Sequence, residues 1–99
     1  MFADDLASYG AVGARRVLNQ DNDQLIVIFG NGYRASVIIG EYSYGGREGL
    51  FEVAVLDANG ELDYSTPVTD DVIGRLDREG VVAVFRRIAE LPTCPGSMV

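Results

Sequence analysis

Apolar positions recur with a two-residue period through Phe51, Val53 and Val55, and the stretch Leu50 to Tyr64 doubles back at Asn59-Gly60. Asn-Gly suits a type I′ turn, whose two central residues take positive φ, so this stretch predicts a β-hairpin. A two-residue loop pairs Val55 with Tyr64, Leu56 with Asp63, Asp57 with Leu62 and Ala58 with Glu61. One face of the hairpin is then apolar (Phe51, Val53, Val55, Leu62, Tyr64), and the other carries Glu52, Glu61 and Asp63. A second hairpin precedes it. Gln24 to Gly30 is a β-branched and aromatic run, Asn31-Gly32 is again a turn, and the chain returns from Tyr33 through Ile39. The same loop rule pairs Gly30 with Tyr33 and Ile28 with Ala35. Ile26, Ile28, Tyr33, Ala35, Val37 and Ile39 then share one face, and Leu25, Val27, Phe29, Arg34, Ser36 and Ile38 the other. The second face is too apolar to be left wet. It predicts a cover for Val27, Phe29 and Ile38, either the N-terminal segment or a second copy in a homodimer.

Helical spacing takes over after Ser65-Thr66-Pro67. Either Thr66 caps a turn with Pro67 at its first position, or Thr69 caps a helix opened by Asp70-Asp71, and Val72, Ile73 and Leu76 give that short helix its apolar side. Asp77 caps a longer helix with Val81, Val84, Phe85, Ile88 and Leu91 on one stripe, ending before Pro92. That stripe should lie on the Phe51, Val53, Val55, Leu62 and Tyr64 face. At the other end of the chain, Phe2, Leu6 and Tyr9 predict a short helix that Gly10 and Gly13 interrupt, followed by irregular or helical chain through Leu18 and a polar loop from Asn19 to Asp23. The expected fold is α+β: a four-stranded antiparallel β-meander with two C-terminal helices packed on one face and a short N-terminal helix. Residues 1–92 form a single domain, and 93–99 a flexible C-terminal tail.

Between the hairpins, Gly40 to Gly49 reads GEYSYGGREG. Tyr42, Tyr44 and Arg47 make either a recognition loop, since tyrosine offers a large contact area at little entropic cost, or a long connection with its tyrosines packed on the sheet. A phosphate-binding glycine loop is not supported, because the chain has no Lys and the segment leads into a strand.

Composition narrows the function classes. The 99 residues carry eight basic side chains, all Arg, against fifteen acidic ones, for a net charge of −7. That sign disfavours direct binding to nucleic acid. The excess concentrates between Asp57 and Glu79, where Asp57, Glu61, Asp63, Asp70, Asp71, Asp77 and Glu79 face only Arg75 and Arg78. Such a cluster is either a solubilising face or a contact set for a basic partner. With no His, nucleophilic triads built on imidazole are excluded, and the single Cys94 precludes an intrachain disulfide. Asp21-Asn22-Asp23 has the opening of a calcium loop but lacks its Gly and Glu, so no metal or cofactor is expected. Acids at Asp4 and Asp5 do not suit a signal peptide, and no apolar run has the length of a membrane span; a cytoplasmic protein that is not an enzyme is expected.

The segments GLFEVAVLD, the Asn-Gly turn and STPVTDDVIG, within Tyr42 to Leu91, resemble a set of small acidic uncharacterised proteins encoded by phages and prophages. A looser likeness, of architecture and charge and not of motif, is to anti-CRISPR proteins that occupy nucleic-acid sites on their targets. The absence of Lys, the eight Arg and the sizeable core depart from the most acidic DNA mimics. This resemblance implies an inhibitor that blocks a basic nucleic-acid-binding site on a CRISPR effector or another nucleic-acid-handling protein, but it carries no residue roles; the acidic surface and the tyrosine loop themselves give Glu52, Asp57, Glu61, Asp63, Asp70, Asp71, Tyr42, Tyr44 and Arg47 as the contact set. The alternative is a self-associating assembly protein of a phage or mobile element that uses the apolar outer sheet face.

Overall fold

A computed structural model describes residues 6–18, 22–40, 50–63, 65–68 and 73–95. After a 3-10 turn at Leu6–Tyr9, five strands follow in chain order: β1 (Ala11–Leu18), β2 (Asn22–Phe29), β3 (Arg34–Gly40), β4 (Phe51–Leu56) and β5 (Ile73–Leu76). Helix α1 (Arg78–Ala89) closes the fold. Every strand pairs antiparallel with its neighbours in sequence, in the order β1-β2-β3-β4-β5. The α+β class, the meander and the long C-terminal helix are as expected, but the described residues form five strands and one α-helix instead of four and two.

The two extra strands have separate causes. Ala11–Leu18, read as irregular or helical because of its glycines, pairs along β2 from Ala11 opposite Phe29 to Leu18 opposite Asp23. A register shift between Ala11 and Gly13 lets Val12 bulge outward, where it is 72% exposed. Ile73–Leu76, read as helical, instead covers the edge of β4, with Leu76 opposite Phe51 and Ile73 opposite Val53. The three-residue spacing that suggested a helix comes from a bulged strand. Arg75 takes φ +58°, the register shifts, and both Ile73 and Leu76 pack against the core although strict alternation would separate them. Conversely, Tyr64 lies outside the described residues, and Glu61 to Asp63 forms no full strand. It contributes a single bridge, Leu62 to Leu56.

Both Asn-Gly loops hold three residues, not two. In the first, the Gly32 N–H donates to Phe29 O (3.1 Å) and the Phe29 N–H to Tyr33 O (3.0 Å), while Gly32 sits at φ +91°. Among the described residues Arg75 alone has positive φ without being glycine, so Asn31 does not adopt the type I′ conformation. The loop is a type I turn followed by a left-handed glycine. Pairing consequently slips by one residue: Val27 opposes Ala35 and Ile28 opposes Arg34. A slip of one residue turns a strand over. Leu25, Val27 and Phe29 join Tyr33, Ala35 and Val37 under α1, and Ile26, Ile28, Ser36 and Ile38 lie on the opposite face.

Helix α1 follows the expected pattern. The Asp77 carboxylate accepts from the Gly80 N–H (2.8 Å), and Val81, Val84, Phe85 and Ile88 are buried. They meet Val53 and Val55 from β4 together with the β2 and β3 side chains. Phe85 lies between Phe29 (ring centroids 6.0 Å) and Tyr9 (6.1 Å). Full burial of each such side chain is worth about 1.5–3 kcal/mol, which makes this layer the main source of stability. Val27 and Phe29, expected with Ile38 under the N-terminal segment or a second chain, are 0% and 1% exposed within this core, and of the three Ile38 alone lies on the other face, half-buried.

The chain past the helix is not a free end from residue 93. Cys94 is 2% exposed within the core cluster, and its N–H donates to Asn31 O (2.7 Å). At the far end of the sheet, Arg16 on β1 donates to Asp23 on β2 through Nε (2.9 Å), and this pair holds the Asp23 carboxyl below the usual carboxylate range.

Candidate functional site

The acidic loop after β4 is organised by one of its own carboxylates. The Asp57 carboxylate accepts from the backbone N–H groups of Asn59 (2.9 Å) and Glu61 (3.0 Å), both through Oδ1. The backbone closes the same loop twice more, from Gly60 N–H to Asp57 O (3.0 Å) and from Asp57 N–H to Glu61 O (2.8 Å), with Gly60 at φ +82°. This is the three-residue arrangement of residues 29–33 repeated at 57–61. Its last donor bond, Asp63 N–H to Val55 O (2.9 Å), leads into a second local cap, in which the Asp63 carboxylate accepts from the N–H (2.9 Å) and the hydroxyl of Ser65.

The register slip redistributes the acids. Leu62 bridges Leu56, so it lies on the sheet face away from α1, 53% exposed, and not on the apolar face with Val55. Alternation then turns Glu61 and Asp63 toward the α1 side. Glu52 opposes Ile38 on the face away from α1, five residues along β4 from Asp57, or roughly 17 Å at strand rise. The expected carboxylate row of Glu52, Glu61 and Asp63 is therefore not one face. Asp57, Glu61 and Asp63 come together at the loop end of the hairpin, and Glu52 stands apart. Asp70, Asp71, Tyr42, Tyr44 and Arg47 lie outside the described residues.

Three residues that sequence reasoning passed over complete this end of the molecule. Arg34 on β3 donates through Nη2 to Ala58 O (3.2 Å), tying the acidic loop to the sheet. Tyr33 is 7% exposed; burial raises its phenol above the usual value, and the neighbouring Cys94 and Asp63 raise it further. Asn31 reaches α1, donating from Nδ2 to Ile88 O (2.7 Å) and Leu91 O (3.1 Å), and its side-chain oxygen accepts from the Tyr33 N–H (3.1 Å). The signal for Asn31 in the sequence was its turn dipeptide alone; nothing there marks a contact 57 residues away.

Two grooves lie elsewhere, one of ≈ 310 Å³ between Pro67-Val68 and the Arg87–Pro92 end of the helix, and one of ≈ 420 Å³ between Tyr9 and the Arg78–Arg86 face of α1. Carboxylates held in place by backbone N–H groups, as those of Asp57 and Asp63 are, suit attraction to positive charge. No helix among the described residues is long and apolar enough to cross a membrane. No protein-family model, curated protein or solved structure was found to match the chain.

Proposed function

We propose that the protein is a non-enzymatic binding protein whose acidic 57–63 loop docks on a basic, nucleic-acid-handling protein, in the manner of a phage-type inhibitor. The observation that carries this reading is the double anchoring of the loop. Asp57 and Asp63 are both bonded to backbone N–H groups, so Asp57, Glu61 and Asp63 present negative charge from a preorganised surface in a chain of net charge −7. An effector of CRISPR type is one partner with the required chemistry.

The test uses immobilised wild type and Glu61→Lys in bacterial lysate, with and without duplex DNA, at low and high salt. Glu61 is exposed and the loop uses its backbone, so the replacement leaves the fold intact. The reading expects capture of a basic nucleic-acid-binding protein that is lost at high salt, displaced by DNA and weakened about ten-fold or more by the charge reversal. Capture indifferent to all three contradicts it.

A second reading, self-association through the sheet face opposite α1, is favoured by Leu62, 53% exposed beside Leu56, with Ile28 and Ile38 half-buried on that face. It no longer includes Val27 and Phe29. A concentration-dependent mass in light scattering that Leu62→Asp abolishes would support it, and a monomer at all concentrations would remove it.

A further inference from the structure

Asn31-Gly32 and Asn59-Gly60 are the same dipeptide in the same backbone loop, with the glycine N–H in both donating across the turn, to Phe29 O (3.1 Å) and to Asp57 O (3.0 Å). Their asparagine side chains differ. Asn31 is half-buried, with Nδ2 bonded to two helix-end carbonyls and its oxygen bonded to the Tyr33 N–H. Asn59 is exposed, and only its backbone N–H enters a hydrogen bond among the described residues. An asparagine followed by glycine is chemically labile, because the glycine amide carries no side chain to crowd its approach to the neighbouring side-chain carbonyl.

We propose that Asn59 is a self-modification site at which the Gly60 amide nitrogen displaces the side-chain amide, while the fold withholds Asn31 from the same reaction. A bond forms between Gly60 N and Asn59 Cγ, the Cγ–Nδ2 bond breaks, and the Gly60 amide proton leaves with ammonia. Water then opens the cyclic imide. Opening at Cγ gives aspartate, and opening at the main-chain carbonyl gives isoaspartate, with one more methylene in the backbone. Neither step needs an oxidant or another reactant. Aspartate adds a negative charge between Asp57 and Glu61, in the loop assigned above to a basic partner. Isoaspartate lengthens the loop and breaks the turn bond from Gly60 to Asp57. Frequency of attack is set by local opening: at Asn59 this breaks bonds of the loop's backbone while the side chain is already exposed, but freeing the Asn31 side chain also breaks its bonds to Ile88 O and Leu91 O.

The experiment ages the full chain in warm, mildly alkaline buffer, with parallel samples in denaturant, and follows both sites by peptide mapping with mass spectrometry. Cleavage at arginine separates them, since Asn59 falls in residues 48–75 and Asn31 in 17–34. In the folded protein Asn59 is expected to convert about ten-fold or more faster than Asn31, the ratio implied by two hydrogen bonds of ordinary net strength. In denaturant the two rates should converge, and Asn59→Gln should leave residue 59 unmodified in the folded protein. Equal rates in the folded protein overturn the proposal, as does an Asn31 that stays slow when unfolded. The readout is chemical, so its failure leaves the binding reading untouched.

Discussion

Loops 29–33 and 57–61 share sequence logic and backbone conformation, yet one is a structural joint and the other a surface feature. At 29–33 the loop's Asn side chain and carbonyl receive the end of α1 and the chain at Cys94, so the hairpin tip and the helix terminus hold each other. At 57–61 the loop is closed by its own Asp57, and Arg34 ties Ala58 O to the sheet. A turn dipeptide therefore sets the backbone, and the neighbouring elements set its role. The loop joined to the helix fixes packing, which leaves the other to carry charge.

The largest test of this contrast is Asn31→Ala against Asn59→Ala. Asn31→Ala removes donors from two helix-end carbonyls and an acceptor from Tyr33, and should cost about 2–3 kcal/mol in denaturant unfolding. Asn59→Ala should stay within about 0.5 kcal/mol. Similar losses for the two would erase the distinction. A smaller effect should be common to both loops. Gly32→Ala and Gly60→Ala each force a side chain into φ near +90°, at about 1–2 kcal/mol, and matched shifts in melting curves are expected because the backbone is the same.

The smallest effect is a pH dependence confined to the joint. Burial raises the Tyr33 phenol above its ordinary value, so the folded state keeps that proton longer than the unfolded chain. Its contribution to stability is complete below the unfolded pKa, about 10, and is lost as pH rises through the folded value. Tyr33→Phe should flatten that alkaline limb. An unchanged limb would show that Tyr33 ionises alike in both states.

Much of the architecture is legible in the sequence. Helix α1, its Asp77 cap and its stripe from Val81 to Ile88 follow from spacing alone, because a 12-residue amphipathic pattern has few alternatives. Both chain reversals are also readable from Asn-Gly, although the second returns through a single bridge and not a strand. Their register is not, because Asn-Gly fits both a two-residue type I′ loop and a type I turn closed by a left-handed glycine. That single ambiguity exchanged the faces of β2 and moved Leu62 away from the helix. β5 was hidden for another reason: four residues with a bulge at Arg75 reproduce helical spacing. The acidic loop was legible as composition, but its closure by Asp57 depends on three-residue loop geometry, and the Asn31 contact depends on tertiary packing.

The assignment of side chains to the acidic end rests on three-residue loops at both Asn-Gly turns, and nuclear Overhauser contacts between α-protons report this directly. Facing residues in a non-hydrogen-bonded antiparallel pair bring their α-carbons to about 4.5 Å, close enough for a strong contact. Since 29/33 and 57/61 are the hydrogen-bonded closing pairs, strong contacts are expected between Ile28 and Arg34 and between Leu56 and Leu62. Two-residue loops would instead give Phe29 with Arg34 and Asp57 with Leu62. Finding the second set would contradict the account, returning Leu62 to the helix face and the carboxylates to a single row.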